Sequence, residues 1–245
     1  MRTTECWTFL AMFDVAIRDD VLQLVRPGTT WLSSGWNGGL LDADAAYNIS
    51  VPEGFQRTDL DAYIDERRAS AGFDRTGPAL LTGVDLQHAR GARCGSVEAV
   101  VTAGISNPAA LPMNTDATAS LGDATEEEAE PGTVNVIVGT TRSLDDGSLA
   151  TLLSVAVEAK ATTLLAETGF PGTTTDAVIA ACDPNADEAT FAGSGTPIGA
   201  AARVCVRDAV RASLRSRYET RALPSSVEDA KYGVTTDAQA ETFEL

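Results

Sequence analysis

The chain has 245 residues, of which 35 are acidic and 18 are basic, so its formal net charge is −17. This charge excludes a generic nucleic-acid-binding surface, because a duplex binder gains affinity by neutralising phosphates with lysine and arginine. The basic residues are 16 arginines and 2 lysines, and such an acid-rich, lysine-poor composition is typical of adaptation to a salt-rich cytoplasm, where ions screen the self-repulsion.

The length predicts one domain, or at most two, with a core large enough to fold without disulfide bonds or a structural metal. The four cysteines are widely spaced and the chain has a single histidine, which argues against a structural zinc site and a disulfide framework. No run approaches the length of an apolar membrane span, and the first residues lack the pattern of a signal peptide. We therefore expect a cytoplasmic protein with no membrane partner.

The first elements in the chain are predicted to be short strands. The apolar alternation from Phe13 to Arg26 is interrupted by Asp19-Asp20, which predicts two strands joined by a tight turn. Thr29 to Leu32 is predicted as a further strand that runs into Ser33–Gly39, a segment rich in turn formers. Tyr47 to Val51 is predicted as another short strand.

The rest of the chain is predicted to contain three helices and four buried strands. The elements predicted there are, in order, a helix over Asp59–Ala71, strands over Ala79–Val84, Val97–Gly104 and Val134–Val138, a helix over Ser148–Glu167, a strand over Asp176–Cys182 and a helix over Pro197–Tyr218. The last helix repeats an arginine every four residues, and we expect an exposed face paired with neighbouring acids.

These elements indicate an α+β fold, a single domain with a mixed or antiparallel β-sheet system covered by helices. We place the domain at residues 1–222. Residues 106–131 are predicted to form a loop, whose acidic stretch 123–130 is expected to be solvated. Residues 223–245 have the polar, acidic composition of a disordered tail.

Lys160 is the most informative single residue. On a helix it lies on the same side as Leu149, Leu153 and Leu164. A lysine in an apolar stripe must be paired, desolvated or functional. A catalytic role and a structural buried ion pair are therefore both open.

Three polar segments are candidates for binding or catalysis. In Gly172–Asp176, hydroxyl groups and a carboxylate precede a strand, so Asp176 is a candidate general base, although such residues also satisfy turn backbones. Gly193–Gly199 places backbone amides at a helix start but lacks the spacing of a dinucleotide-binding loop. Ser33–Gly39 permits close approach of the backbone to a ligand. His88 lies in a polar segment and is interpreted as a surface residue, so a Ser-His-Asp hydrolase has little support.

Taken in order, six motifs of this sequence resemble the adenosylcobinamide amidohydrolase family, over about residues 25–214. They are Leu32–Gly39 followed by Tyr47-Asn48, Val101–Pro108, Gly132–Ile137, Glu158–Lys160, Gly172–Asp176 and Gly193–Gly199. The ordered series is far more specific than any single member. The resemblance implies hydrolysis of the amide between the aminopropanol arm and the corrin ring of adenosylcobinamide.

Amide hydrolysis needs an activated water or nucleophile, a stabilised oxyanion and a proton for the departing amine. We interpret four residues as catalytic: Lys160, Asp176, Glu158 and Thr175. Eleven more are interpreted as substrate-binding: Ser34, Asn37, Gly38, Gly39, Asn48, Thr102, Asn107, Asn135, Thr173, Ser194 and Thr196. The expected partner is a corrinoid substrate, which carries the cobalt. We expect no metal ligands in the protein and no further cofactor. The sequence does not determine the oligomeric state, and a homo-oligomer is one of the alternatives. A corrinoid-binding protein without catalysis and an amidase for another substrate are the alternatives.

Overall fold

The computed structural model describes residues 11–113, 133–230 and 232–244. The α-helices of this part of the chain are α1 (Leu60–Ser70), α2 (Asp146–Thr168) and α3 (Pro197–Arg217). The strands are β1 (Asp14–Arg18), β2 (Val21–Ser33), β3 (Gly39–Ser50), β4 (Ala79–Thr82), β5 (Arg90–Cys94), β6 (Val97–Ala103), β7 (Ala109–Ala110), β8 (Val134–Thr140), β9 (Ala177–Cys182) and β10 (Val234–Thr235). Eight of these strands form one sheet.

The sheet is mixed, with the strand order β4-β3-β2-β9-β8-β6-β5 and with β1 paired to β2. The pairs β3–β4 and β8–β9 are parallel, and the other neighbours are antiparallel. The predicted α+β class with a mixed sheet is therefore confirmed. Residues 114–132, which include the predicted acidic stretch 123–130, lie outside the described residues.

The predicted hairpin at the start of the domain is confirmed. Asp19 and Asp20 have positive φ values of 45° and 58°, as the tight turn between β1 and β2 requires. The segment from Thr29 to Leu32 is the second half of β2 and not a separate strand. Pairing with β3 continues across a register shift between Val25 and Thr29, where Gly28 has a φ of 69°. This bulge bends β2, which pairs with β1 before the shift and with β9 after it.

Two layers of apolar side chains lie on the two faces of the sheet. On one face, α2 and α3 pack over β6, β8 and β9 around Leu149, Leu152 and Val206. On the other face, β2, β3 and β4 curl back over the same strands, so that Trp31 and Leu80 pack near Ile137. Because β4 crosses β8, residues far apart in sequence meet at the end of the sheet.

Helix α2 has 23 residues and is long and apolar enough, by length and composition, to cross a membrane. In the structure it contacts α3 and β9 and buries Leu149, Leu152 and Leu164. A helix buried in the core of a globular domain can be equally long and apolar. The helix begins two residues before the predicted Ser148 and ends one residue after the predicted Glu167. Asp145 accepts a hydrogen bond from the Ser148 amide at 2.7 Å, and Gly169 ends the helix with a φ of 82°.

The arginine face of α3 is confirmed as an exposed, acid-paired surface. The ion pairs on it are Arg203 with Glu158, Arg207 with Asp208 and Arg211 with Glu167. Such exposed pairs contribute about 0–1 kcal/mol each, so the pattern reflects a solvated face and not a binding stripe.

Within residues 223–245, a short segment lies along the rest of the domain. Val234–Thr235 of β10 pairs in parallel with β7, and the amide of Val234 donates to the carbonyl of Pro108 at 2.9 Å. The predicted domain boundary at residue 222 stays a prediction.

Candidate active site

The end of β6 and the starts of β8 and β9 lie side by side at one edge of the sheet, because Thr102 pairs with Asn135 and Asn135 pairs with Ala177. We call this the polar edge, defined by residues 102–107, 133–135 and 172–177. Three of the motifs singled out in the sequence supply these segments. The polar edge therefore brings together side chains that are far apart along the chain.

A buried network of amide and hydroxyl groups ties four strands together at the polar edge. Asn48 of β3 donates to the Thr102 hydroxyl at 2.9 Å. Asn135 donates to Asn48 Oδ1 and to the Leu81 carbonyl, both at 2.9 Å. These three polar side chains are at most 3% exposed and bond to one another, so they position strands β3, β4, β6 and β8. Thr82, at the end of an apolar strand, joins the network at 3.4 Å from Thr102 and was missed in the sequence.

Lys160 and Asp176 form an ion pair between α2 and the start of β9. Their side chains are only 8% and 9% exposed. The carboxylate also accepts a hydrogen bond from the Thr173 hydroxyl and one from the Thr173 amide at 3.1 Å. A Cβ on Gly172 would lie 2.8 Å from Asp176 Oδ2, so this position needs glycine. Both oxygens of the carboxylate are thus occupied by donors from the protein.

Asn107 connects the loop before β9 to the start of β8. Its Oδ1 accepts a hydrogen bond from the Thr133 hydroxyl at 2.7 Å, and its amide nitrogen donates to the Thr174 hydroxyl at 2.5 Å. Thr175 is half-buried in the same loop. Of the predicted site residues, Asn107 is the one that both joins these segments and lines the cavity described next.

A cavity of about 400 Å³ opens beside the polar edge. Its lining comes from the ends of β3, β4 and β6, the start of β8, the end of α3 and the segment after it: Val51, Pro52, Glu53, Gly54, Gly83, Asp85, Gln87, His88, Ser106, Asn107, Thr133, Arg217, Arg221 and Tyr232. The cavity contains amide, hydroxyl, carboxylate, imidazole and guanidinium groups, which are the groups that bind and hydrolyse a polar substrate.

The interpretation of His88 as a surface residue needs correction, because the ring is half-buried and lines this cavity. Its Nδ1 lies 3.0 Å from the Ser216 hydroxyl of α3. Burial of the ring and the nearby charge of Arg217 hold the pKa of His88 below its ordinary value of 6.5. The polar residues around His88 in the sequence do not indicate that its turn packs against α3 and β6.

The turn between β2 and β3 holds Ser34, Asn37 and Gly38, and Gly39 is the first residue of β3. The Ser34 hydroxyl accepts from the Val178 amide at 2.9 Å, and so links this turn to β9. A Cβ on Gly38 would lie 2.3 Å from the Ser33 carbonyl oxygen. Asn37 lines a second cavity, of about 310 Å³, together with Trp36, Asp61 and Arg68. The structure therefore separates Asn37 from the cavity of His88.

Glu158, Ser194 and Thr196 lie away from the Lys160–Asp176 pair. Glu158 is on the outer face of α2 in an ion pair with Arg203, which also donates to the Ser194 hydroxyl at 3.2 Å. Thr196 caps α3 by accepting from the Gly199 amide at 3.1 Å. This first part of α3 lies near the start of β6, whereas its last turns lie near the end of β6.

The Gly193–Gly199 motif has a packing role that substitution can test. A Cβ on Gly199 would lie 2.1 Å from the Gly193 carbonyl oxygen, whereas a Cβ on Gly195 would meet nothing within 4 Å. We expect Gly199→Ala to lower the free energy of unfolding by about 1–3 kcal/mol and Gly195→Ala to change it by less than about 0.5 kcal/mol. Urea unfolding at constant KCl measures both. Equal stabilities of the two variants would contradict the packing role.

The comparisons with known proteins agree with the resemblance found in the sequence. A family model described as adenosylcobinamide amidohydrolase matches residues 13–222. The chain is 55% identical over 234 residues to the adenosylcobinamide amidohydrolase of Halobacterium salinarum, which covers 95% of this chain and 99% of that protein. It is 29% identical over 214 residues to the adenosylcobinamide amidohydrolase of Methanosarcina mazei, covering 83% and 98%. No solved structure is significantly similar. With its domain matched almost end to end, this chain belongs to the adenosylcobinamide amidohydrolase family.

Proposed function

We propose that this protein hydrolyses the amide that joins the aminopropanol arm to the corrin ring of adenosylcobinamide, giving adenosylcobyric acid and 1-amino-2-propanol. Family membership supports the substrate class. The main support for the position of the active site is the cavity of about 400 Å³ beside the polar edge, which is lined by amide, hydroxyl and ionisable groups.

The volume of this cavity suits one arm of the substrate and not a whole corrinoid. The aminopropanol arm and its amide would enter the cavity, and the corrin ring would lie across the mouth. Asn107 and Thr133 line the wall and are held together by a hydrogen bond of 2.7 Å. Because they are only 1% and 3% exposed, these two side chains support the wall, and the more exposed polar groups of the lining offer donors and acceptors to the polar arm and to the amide side chains of the corrin.

The Lys160–Asp176 pair takes a positioning role in this proposal. Asp176 receives the Lys160 ammonium and two hydrogen bonds from Thr173, so the pair holds the loop 172–176. That loop in turn holds Asn107 through Thr174. Loss of the pair is therefore expected to shift Asn107 and so to change the part of the cavity wall that faces the substrate.

The proposal includes no resident metal or cofactor, because the cobalt enters as part of the substrate. We propose a cytoplasmic location, with no nucleic-acid or membrane partner. The oligomeric state stays open.

Incubation of the purified protein with adenosylcobinamide at high KCl, followed by mass spectrometry, tests this function. We expect 1-amino-2-propanol and adenosylcobyric acid to appear in equal amounts. Binding of the corrinoid without release of aminopropanol would contradict the proposal and indicate a binding protein. Release from a simple amide but not from adenosylcobinamide would instead indicate an amidase for another substrate.

A further inference from the structure

Two ionisable side chains in the cavity wall have no role in the positioning networks of the polar edge. His88 ends the 3-10 turn Leu86–His88, which follows β4, and Arg217 lies in the last turn of α3. The hydroxyl of Ser213 donates to the His88 carbonyl at 2.8 Å and so attaches this turn to α3. Both side chains line the same cavity.

The His88 ring is oriented by one of its nitrogens and leaves the other available. Nδ1 lies 3.0 Å from Ser216 Oγ, and that oxygen also accepts a hydrogen bond from Arg90 at 2.5 Å. In the tautomer in which Nδ1–H donates to Ser216 Oγ, Nε2 carries the lone pair, and this is the tautomer that the proposal requires. Nε2 has no hydrogen-bond partner among residues 11–113, 133–230 and 232–244.

Arg217 is a half-buried cation without a counter-ion in the described part of the chain. A Cβ on Gly104 would lie 2.7 Å from Arg217 Nε, so the guanidinium lies directly over this glycine. Three other arginines of α3 form ion pairs, but Arg217 forms none with any described residue. In a chain with 35 acidic residues, a cavity-lining arginine that is left unpaired is suited to bind an anion.

We propose that His88 and Arg217 carry out the hydrolysis, with His88 as the general base and Arg217 as the group that binds the oxyanion and then the product carboxylate. This inference rests on the proposed function and names the residues that act on the scissile amide.

The proposed reaction has two steps. His88 Nε2 takes a proton from water as the water oxygen bonds to the amide carbon, and the carbonyl electron pair moves to oxygen, where the Arg217 guanidinium binds the negative charge. The imidazolium then gives its proton to the amide nitrogen as the carbon–nitrogen bond breaks. The resulting carboxylic acid loses its proton to the free amine, so the products are a carboxylate and an ammonium ion.

The charges that face His88 favour the neutral, basic form of the ring at pH 7. Arg217, Arg221 and Arg90 oppose protonation, and Asp85 favours it. Glu53 is the other charged side chain that lines the cavity within the described part of the chain. Since the pKa of His88 is lowered from 6.5, kcat/KM is expected to be constant at neutral pH and to fall as the pH decreases through that lowered pKa.

The first test replaces the base. His88→Gln is expected to lower kcat by about 10²–10⁴-fold and to remove the acidic limb of the pH profile. Added imidazole is expected to restore part of the activity of His88→Ala, which would not occur if the ring were only structural. The matched control Arg207→Ala removes an exposed charge from the same helix and is expected to keep full activity.

The second test replaces the cation. Arg217→Met is expected to lower kcat by about 10²–10³-fold, and Arg217→Lys to recover part of that loss because it keeps the charge.

Since the chain has one histidine, labelling with ¹⁵N-histidine reports on His88 alone and gives its tautomer and titration. An ¹⁵N spectrum in which Nδ1 is the protonated nitrogen supports the assignment, and the opposite tautomer at neutral pH overturns it.

The outcomes separate this inference from the proposed function. If the wild-type protein releases aminopropanol and His88→Gln is equally active, the assignment of the base is overturned and the amidohydrolase function stands. Full activity of folded Arg217→Met overturns the assignment of the oxyanion group in the same way. No release by the wild-type protein contradicts the proposed function itself.

Discussion

Lys160→Ala is expected to lower the free energy of unfolding by about 3–5 kcal/mol, since it leaves the Asp176 carboxylate buried without its counter-ion. Asp176 has 9% of its side chain exposed, so water replaces little of the lost interaction. Asp176→Asn is expected to have an effect of similar size, because it leaves the Lys160 ammonium unpaired in an apolar stripe. Urea unfolding at constant KCl measures both losses.

The double variant Lys160→Met, Asp176→Asn separates structure from chemistry. It contains neither buried charge, so most of the stability is expected to return and the two single effects will not add. Single variants within about 0.5 kcal/mol of the wild type would contradict a stabilising pair. The same double variant tests the catalytic role predicted from the sequence: a folded, active protein removes Lys160 and Asp176 from the reaction.

Removal of salt is expected to have the second large effect. Thirty-five acidic residues against 18 basic ones leave a net charge of −17. At about 3 M KCl the Debye length is under about 3 Å, and at about 0.1 M it is about 10 Å, so repulsion between neighbouring carboxylates returns as salt is removed. We expect the cooperative thermal transition, followed by circular dichroism, to move to lower temperature and the protein to unfold or lose activity at low salt.

A charge variant provides the control for the salt effect. Replacing Glu126, Glu127, Glu128 and Glu130 by glutamine changes the net charge from −17 to −13, that is, by the four carboxylates removed. This variant is expected to need less KCl than the wild type to reach half of its folded signal. A melting temperature that stays constant from high to low KCl would contradict halophilic adaptation.

Local patterns were sufficient to predict most elements of the fold. The Asp19-Asp20 turn and the buried strands near Val97 and Val134 depend on neighbouring residues or on short-range periodicity. Strand ends were predicted less well. β3 begins at Gly39 and not near Tyr47, because its first half is stabilised by pairing with the second half of β2. That pairing depends on the bulge between Val25 and Thr29, and the sequence does not indicate that β2 continues through this bulge.

The same contrast between local patterns and long-range contacts applies to the candidate site. Lys160, Asp176, Thr173 and Asn107 were identified from the sequence, and the structure brings them into connected contacts at the polar edge. Glu158, Ser194 and Thr196 belong to equally clear motifs, yet Ser194 and Thr196 lie at the start of α3 and Glu158 lies on the outer face of α2. A motif shows which residue types are present in a segment, but not which end of the sheet that segment reaches.

The sequence by itself determined the α+β class, the acidic surface, the family resemblance and the pairing requirement of Lys160. These properties depend on composition and on residues close together in the chain. Only the tertiary structure decided that His88 and Arg217 line one cavity. The reason is that β4 crosses the end of the sheet and the last turns of α3 pack beside β6, so the cavity forms from long-range contacts that leave no local pattern.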